Sequence, residues 1–346
     1  MPTLASASLY RLVFSVFFLP AVLPWTANAS TVRNFLYATD DLQQIDALIK
    51  RPDIEGVQIV YSWKELEKSR GYYDFSPIER DLAYLQGLNK KLFIQVQDRF
   101  FEPQARNLPA YLLSEPLYQG GLVPQYDNPG ENRPVGNGWV AVQWNLAVRE
   151  RYQRLLEALA KQFDGRVMGI NLPETSIDLD TKRSNAGFSC DKYFNATLEN
   201  LAYARKVFQK SYVVQYVNFW PCEWDNDHRY MSRLFSFAEQ HGIGLGGPDI
   251  VPWKQGQMKN AYPFFHQYKG RLRLVAMAVQ EPTLTYTNPQ THKPFTRDEF
   301  VQFAQAYLGS NVIFLEYGVT LVEGERDAAR TIDRWPAHPP YHAWTR

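Results

Sequence analysis

The segment from residue 57 to residue 97 decides the fold, because it reads as a strand, a helix and a second strand. It begins with VQIVYS at residues 57–62, continues with PIERDLAYLQGL at 77–88 and ends with KLFIQVQ at 91–97. The two outer runs are largely apolar, which is typical of strands covered on both faces. Ser76 followed by Glu79 three residues later predicts a capping box at the start of the helix. A parallel strand–helix–strand unit is therefore expected.

The same unit recurs along the chain. We predict eight strands, at Arg33–Ala38, Val57–Ser62, Lys91–Gln97, Arg166–Leu172, Tyr212–Val217, Ile243–Pro248, Leu272–Val279 and Asn311–Leu315. Helical patterns lie between them, at Asp40–Lys50, Pro77–Leu88, Asn145–Phe163, Lys192–Gln209, Asp227–His241 and Thr296–Leu308. Eight alternating units predict an α/β fold of the (β/α)8 TIM-barrel type. A doubly wound open sheet is the alternative, although no GxGxxG motif follows the first strand.

The connection after the third strand is roughly twice as long as the others and runs from Asp98 to Trp144. Long loops inside compact domains are usually functional or disordered. In a barrel this loop leaves the carboxyl end of the third strand and is expected to form a wall of the active-site face. Its aromatic side chains suit either stacking against a sugar or anchoring the loop.

The N-terminal segment Met1–Ala29 is predicted to be a secretory signal peptide. Arg11 supplies the positive charge, the run from Leu12 to Leu23 is almost wholly apolar, and Ala27-Asn28-Ala29 fits a small-x-small cleavage site. An uncleaved anchor is the alternative, but about twelve apolar residues are short for a ~30 Å membrane core. We expect an exported protein, periplasmic or extracellular, with one catalytic domain over residues 30–346 and no integral membrane association after cleavage.

The two cysteines agree with export. Cys190 and Cys222 follow the predicted fourth and fifth strands, and a cysteine pair in an exported protein is more often bridged than free. We predict a disulfide between them, on neighbouring loops at one face of the barrel, with two free thiols as the alternative.

Composition and charge exclude several classes of function. The chain has 37 Lys and Arg against 36 Asp and Glu, so a nucleic-acid partner is not expected. The six histidines and two cysteines form no spacing typical of a metal site, and no metal or organic cofactor is implied. Aromatic residues make up 15% of the chain, which favours a ligand with apolar faces as well as a large aromatic core.

Acidic residues follow the predicted strands at the end where barrel enzymes carry their chemistry. Glu174 follows the fourth strand, Glu281 the seventh and Glu316 the eighth, and Asp98 and Asp249 follow the third and sixth. A carboxylate placed directly after a buried strand is costly unless it is used or paired. Ion pairs with nearby loop cations are the structural alternative for each. Glu174 and Glu281 come from different sides of the mouth, as hydrolysis of a glycosidic bond by two carboxyl groups requires.

A motif after the second strand carries a resemblance to a known group of enzymes. The stretch WKELEKSRGYYDF at residues 63–75 resembles the W-x-x-L-E-(x)-G-x-Y-D-F signature of clan A glycoside hydrolases, notably β-galactosidase-like and cellulase-like families. The resemblance implies that Glu174 is the acid/base and Glu281 the nucleophile. It departs from the clan at position 173, where Pro173 stands in place of the usual asparagine, and Asn171 lies three residues before Glu174.

The sequence thus predicts a retaining hydrolase that acts on an oligo- or polysaccharide with β linkages. The candidate substrate-binding residues are Trp63, Asn171, Tyr216, Trp220, Trp253, Glu316 and Tyr317. Among them Tyr216 is expected to donate a hydrogen bond to the nucleophile, and Trp63, Trp220 and Trp253 are expected to be sugar platforms. The alternative is a carbohydrate-binding barrel without turnover, because the asparagine–glutamate pair is missing.

Overall fold

Eight parallel strands form a closed barrel in the computed structural model, which describes residues 32–38, 42–100, 102–126, 136–179, 186–279 and 286–316. The strands are β1 Arg33–Ala38, β2 Ile54–Ser62, β3 Lys91–Gln97, β4 Gly169–Leu172, β5 Tyr212–Tyr216, β6 Gly244–Gly247, β7 Val275–Val279 and β8 Val312–Leu315. Each strand pairs with its neighbours in chain order, and β1 closes the barrel on β8, with Arg33 opposite Val312 and Leu36 opposite Leu315. The predicted (β/α)8 barrel is confirmed, and the open doubly wound sheet is excluded.

Helices connect the barrel strands. They are α1 Asp46–Ile49, α2 Trp63–Leu66, α3 Ser76–Gly87, α4 Ala110–Ser114, α5 Leu146–Phe163, α6 Cys190–Val207, α7 Tyr230–His241, α8 Gln255–Asn260, α9 Tyr262–Gln267 and α10 Arg297–Phe303. A 3-10 turn at Leu42–Ile45 precedes α1, another lies at Pro116–Tyr118, and a π-helical turn at Ala304–Leu308 continues α10. The long helices turn apolar faces to the sheet, and this burial is the main stabilisation of the fold.

The helices α10 and α3 begin in different ways. At α10 the capping box is present, because Thr296 accepts from the backbone N–H of Glu299 and Glu299 accepts from that of Thr296. At α3 the prediction is wrong, because Ser76 is already inside the helix and its N–H donates to Asp74 at 3.1 Å. Glu79 instead forms an ion pair with Arg166 at 2.7 Å.

Three phenylalanines fill the interior of the barrel. Phe35, Phe93 and Phe314 meet edge to face, with ring centroids 5.2–5.8 Å apart. Gly169 makes room for them, since a Cβ at this position would lie 2.3 Å from the ring of Phe93. The three rings fill the barrel interior as a packed aromatic core. A reaction site must therefore lie at the carboxyl ends of the strands, where barrel enzymes carry their chemistry.

The described part of the long connection after β3, called the β3–α5 excursion below, contains regular secondary structure. Its strands Arg99–Phe100, Leu122–Tyr126 and Gly136–Ala141 form an antiparallel sheet with the last strand in the middle. Phe100, Tyr118 and Tyr126 are buried in it. These aromatic side chains anchor the excursion. Anchoring and stacking against a sugar were the two roles that the sequence left open for the aromatic residues here.

The motif at residues 63–75 forms a hairpin held by one buried carboxylate. Glu67 is fully buried and accepts from the indole of Trp63 and the backbone N–H of Gly71, both at 2.8 Å. It also accepts from the hydroxyl of Tyr111 at 3.0 Å and pairs with Arg151 of α5. The motif residues therefore bind the loop after β2 to the β3–α5 excursion and to α5. These contacts give Trp63, Glu67 and Gly71 of the motif a structural role.

Candidate active site at the barrel mouth

Glu174 lies in a short turn that is tied to the end of the next strand. Thr175 donates its backbone N–H to the carbonyl of Tyr216 at 3.1 Å and its hydroxyl to the carbonyl of Phe219 at 3.1 Å. The hydroxyl of Thr175 in turn accepts from the backbone N–H of Asn218 at 3.0 Å. Because the backbone and the side chain of Thr175 are both bonded to the β5 side of the mouth, the backbone next to Glu174 has a fixed direction.

A buried arginine supports the same turn from below. Arg99 donates to the backbone carbonyls of Glu174 and Ser176. Its charge is balanced by Asp98 at 3.1 Å, and Asp98 also accepts from the side chain of Gln143 at 2.9 Å. Both ionic side chains are almost fully buried. Asp98 is thus a structural partner of Arg99, the alternative that the sequence left open for the acids at strand ends.

The carboxyl group of Glu174 is partly buried and accepts a hydrogen bond from the side chain of Asn218 at 3.2 Å. Burial raises the pKa of Glu174 to about 7, and the negative charge of Asp249 also raises it, whereas the charge of Arg99 and the bond from Asn218 lower it. A carboxyl group with this pKa is protonated in about half of the molecules at neutral pH. It can therefore both donate and accept a proton there.

Two further carboxyl groups lie at the same mouth. Burial raises the pKa of Asp249, after β6, to about 6, and the charge of Lys254 opposes this effect. Tyr37, near the end of β1, has a raised pKa because it is buried and because the charges of Glu316 and Glu174 act on it. Glu316 follows β8 directly. The ends of β1, β4, β6 and β8 thus bring these groups into electrostatic contact.

Two predicted sugar platforms are core residues. Trp63 is fully buried, with its indole bonded to Glu67 and its ring edge-on to Tyr152 at 5.2 Å. Trp220 is 3% exposed and packs against Phe194 at 5.0 Å. A sugar ring cannot stack on either side chain, so these two predictions are wrong. The third, Trp253, is half-buried and remains available to a ligand.

Asn171 and Tyr216 point into the barrel instead of toward a substrate. Asn171 has no exposed surface, and its backbone is paired with Gln95 and Val214 in the sheet. Tyr216 is 1% exposed and donates its hydroxyl to Gln58 at 2.8 Å. Asn171 therefore has no surface with which to contact a substrate hydroxyl, and the hydroxyl proton of Tyr216 goes to Gln58.

Glu281 and Tyr317 lie outside the described residues, as does the predicted cleavage site at Ala29. The disulfide prediction is confirmed: Cys190, at the start of α6, is bonded to Cys222 after β5, with 6.2 Å between their Cα atoms. Within the described part of the chain, no group of three His, Cys, Asp or Glu side chains could hold a metal ion. Across those same residues, no helix is both long and apolar enough to cross a membrane.

Three features of this part of the molecule were not predicted from the sequence. Asn218 follows β5 and was detectable as a polar residue at a strand end. Arg99 follows β3 in the same way, and only its partners on a distant segment reveal its role. Trp224 is 50% exposed and stacks on Phe219, the residue after Asn218, with ring centroids 6.0 Å apart. Its ring is accessible to a ligand, unlike that of the buried Trp220.

No protein-family model and no curated protein matches the sequence. Among solved structures, a β-galactosidase from Bacillus circulans sp. alkalophilus has a TM-score of 0.52 at 12% identity, over 83% of this chain and 50% of that chain. A xylanase from Thermotoga petrophila has a TM-score of 0.49 at 9% identity, over 83% of this chain and 82% of that chain. An endo-glycoceramidase from Rhodococcus sp. has a TM-score of 0.45 at 14% identity, over 87% of this chain and 70% of that chain. At these identities the likeness shows the fold alone.

Proposed function

We propose that this protein is a retaining glycoside hydrolase that acts on a β-linked glycan, with Glu174 as the acid/base and Glu281 as the nucleophile. The observation that carries the proposal is the state of Glu174. Its carboxyl group lies at the carboxyl end of β4, and burial raises its pKa to about 7. A general acid at neutral pH needs a pKa in this range, and barrel enzymes place such groups at this end of the strands.

The chemistry divides into two steps. In the first, the carboxylate of Glu281 attacks the anomeric carbon while Glu174 gives its proton to the departing glycosidic oxygen, leaving a glycosyl ester on Glu281. In the second, Glu174 takes a proton from water as the water oxygen attacks the anomeric carbon and releases Glu281. Two inversions give net retention, for which the two carboxyl groups should be about 5–5.5 Å apart.

The surroundings of Glu174 suit both of its roles. Asn218 donates to one carboxyl oxygen, which favours the ionised form and leaves the other oxygen to hold the proton. Arg99 binds the backbone carbonyl of Glu174 rather than its carboxyl group. It therefore fixes the turn and supplies a positive charge nearby, while the carboxyl group of Glu174 stays available for proton transfer.

Screening the purified protein against aryl β-glycosides and β-linked polysaccharides tests the proposal. The Glu174→Gln variant should lose hydrolysis of poor leaving groups but keep much of its first step with an activated aryl group, which needs no proton. The Glu281→Gln variant should be inactive on both. Full activity of Glu281→Gln beside an inactive Glu316→Gln would assign the nucleophile to Glu316 instead.

A carbohydrate-binding barrel without turnover is the second candidate. It is favoured by Pro173 in place of the clan's asparagine and by the enclosure of Asn171 in the barrel, since together they leave no asparagine in the usual place. Binding of a glycan by the wild type with no hydrolysis of any aryl glycoside would select this candidate.

We also infer export. The segment Met1–Ala29 has the pattern of a signal peptide, and a disulfide such as Cys190–Cys222 persists in oxidising compartments. The export proposal is tested by the N-terminal sequence of the protein recovered outside the cytoplasm, which should begin at Ser30.

A further inference from the structure

A cleft of about 400 Å³ lies beside the barrel mouth and takes no part in the chemistry proposed above. It is bounded by Trp253 in the loop after β6, by the segment around Asn288 that precedes α10, and by α10 with its π-helical turn. Its volume falls within the ~300–1,000 Å³ typical of small-ligand sites. Trp253 is four residues from Asp249, whose charge acts on Glu174, so the cleft and the acid share one loop.

The walls of the cleft are aromatic. The ring of Trp253 stands edge-on to Phe303 at 5.0 Å and to Tyr307 at 5.8 Å. Phe303 and Tyr307 are stacked, with centroids 5.1 Å apart and planes inclined by 10°. Tyr307 is also stacked on the imidazole of His266 at 4.5 Å, so two protein rings engage it. Trp253 is half-buried and has only edge contacts with its neighbours, so it is the ring that can receive a ligand. Flat aromatic surfaces of this kind pack against the apolar faces of sugar rings.

The backbone is in an uncommon conformation on both sides of the cleft. Trp253 has a φ of +64°, in the left-handed region that bulky side chains rarely occupy. Opposite it, Ala304–Leu308 forms a π-helical turn that carries Tyr307. Both features cost energy and are enriched at functional sites. Here they have the same consequence, because each sets the position of one of the partly exposed rings.

The rim of the cleft is polar but largely uncharged. Gln290, Thr291 and Gln302 are exposed and offer amide and hydroxyl groups. The carboxylate that lines it, Glu299, is engaged by Thr296 at the start of α10 and by the side chain of Asn288 at 2.8 Å. Neutral donors and acceptors around an aromatic floor match a ligand with many hydroxyl groups and no charge.

The geometry points to a second sugar-binding site in this cleft, which holds a neutral glycan chain by stacking on Trp253. The inference rests on the proposed function and narrows its substrate class, because a site separate from the mouth is useful only for an oligo- or polysaccharide long enough to reach it. Small aryl glycosides engage the mouth alone.

Affinity electrophoresis in gels containing soluble xylan, mixed-linkage β-glucan or β-galactan tests the inference. Trp253→Gly removes the ring and suits the positive φ, and Gln302→Ala removes an exposed rim amide. Tyr72→Ala is the matched control, because Tyr72 is 66% exposed and lies in the hairpin after β2. We expect Trp253→Gly to weaken retardation by at least one of these glycans roughly tenfold, Gln302→Ala to weaken it less, and Tyr72→Ala to leave it unchanged.

The same variants separate this inference from the proposed function. Turnover of an aryl β-glycoside should be unchanged in Gln302→Ala, and retardation should be unchanged in Glu174→Gln. Retardation without any hydrolysis would refute the hydrolase proposal and keep the glycan site. Hydrolysis with equal retardation of the wild type and of a folded Trp253→Gly variant would refute the glycan site alone, as would the absence of retardation by all three glycans. A denaturant unfolding midpoint for each variant shows whether it is folded. If Trp253→Gly does not fold, Gln302→Ala tests the glycan site instead, because its side chain is exposed, and equal retardation of Gln302→Ala and the wild type then refutes the site.

Discussion

Replacing Glu174 with glutamine should stabilise the protein at alkaline pH and leave its stability unchanged at pH 4. The pKa of Glu174 rises from an ordinary value of 4.5 to about 7 in the fold. An acid whose pKa is raised by folding keeps its proton longer in the folded state than in the unfolded chain. The free energy of unfolding therefore falls as the pH rises from about 4.5 to about 7, and the loss is complete above pH 7.

The size of the effect follows from the same values. A difference of about 2.5 pH units, at about 1.4 kcal/mol per unit, corresponds to about 3.5 kcal/mol. Glutamine can accept the same bond from Asn218 and never ionises, so Glu174→Gln should recover up to this amount at pH 8. Such a gain is common when a buried functional group that is costly to ionise is removed.

Guanidinium chloride unfolding of the wild type and of Glu174→Gln at pH 4 and pH 8, at constant ionic strength, measures the effect without any substrate. Glu55→Gln is a control of opposite sign, because Arg33 holds the pKa of Glu55 at about 2, below its usual range. That variant should lose stability at pH 8. Equal changes in Glu174→Gln at both pH values, or a loss of stability at pH 8, would refute the account of the barrel mouth.

Three further predictions concern the supports of the site and the export of the chain. Arg99→Met should lower the free energy of unfolding by about 3–5 kcal/mol, because Asp98 is left buried without its partner. In denaturant titrations, adding Asp98→Asn should restore part of this loss. A double variant no more stable than the single one would contradict the prediction. Replacing Cys190 and Cys222 with serine should cost up to about 3.7 kcal/mol for a loop of this length, and thiol titration of the denatured, unreduced wild type should find no free thiol. Intact-mass measurement of the exported protein should show cleavage after Ala29, and a mass that still includes the segment Met1–Ala29 would show an uncleaved anchor.

The barrel strands were predictable because the sheet is covered on both faces. Runs such as Lys91–Gln97 and Arg33–Ala38 are apolar along their length, and their predicted bounds agree with the structure. Strand ends were less certain at β4, where the prediction began at Arg166 and the strand begins at Gly169. Residues 166–168 approach the barrel as a turn, which composition alone does not distinguish from a strand.

The side-chain environment at the mouth was harder to predict. Trp63 and Trp220 both follow strands, as a sugar platform would, yet the helix and loop packing that encloses them depends on contacts between distant segments. The position of Glu174 at a strand end was visible in the sequence. Its bond from Asn218 and its support by Arg99 were not, because they join residues 44 and 75 positions apart.

The role of Glu174 is tested most directly by azide rescue of Glu174→Gln, with the anomeric configuration of the product read by proton NMR. With an activated aryl β-glycoside the variant should accumulate the glycosyl intermediate, and azide should then attack from the face that Glu174 serves. The account predicts a β-glycosyl azide, with retained configuration, and a matching rise in rate. An α-glycosyl azide, or no response to azide in a variant that still binds substrate, would contradict the assignment of Glu174 as the acid/base.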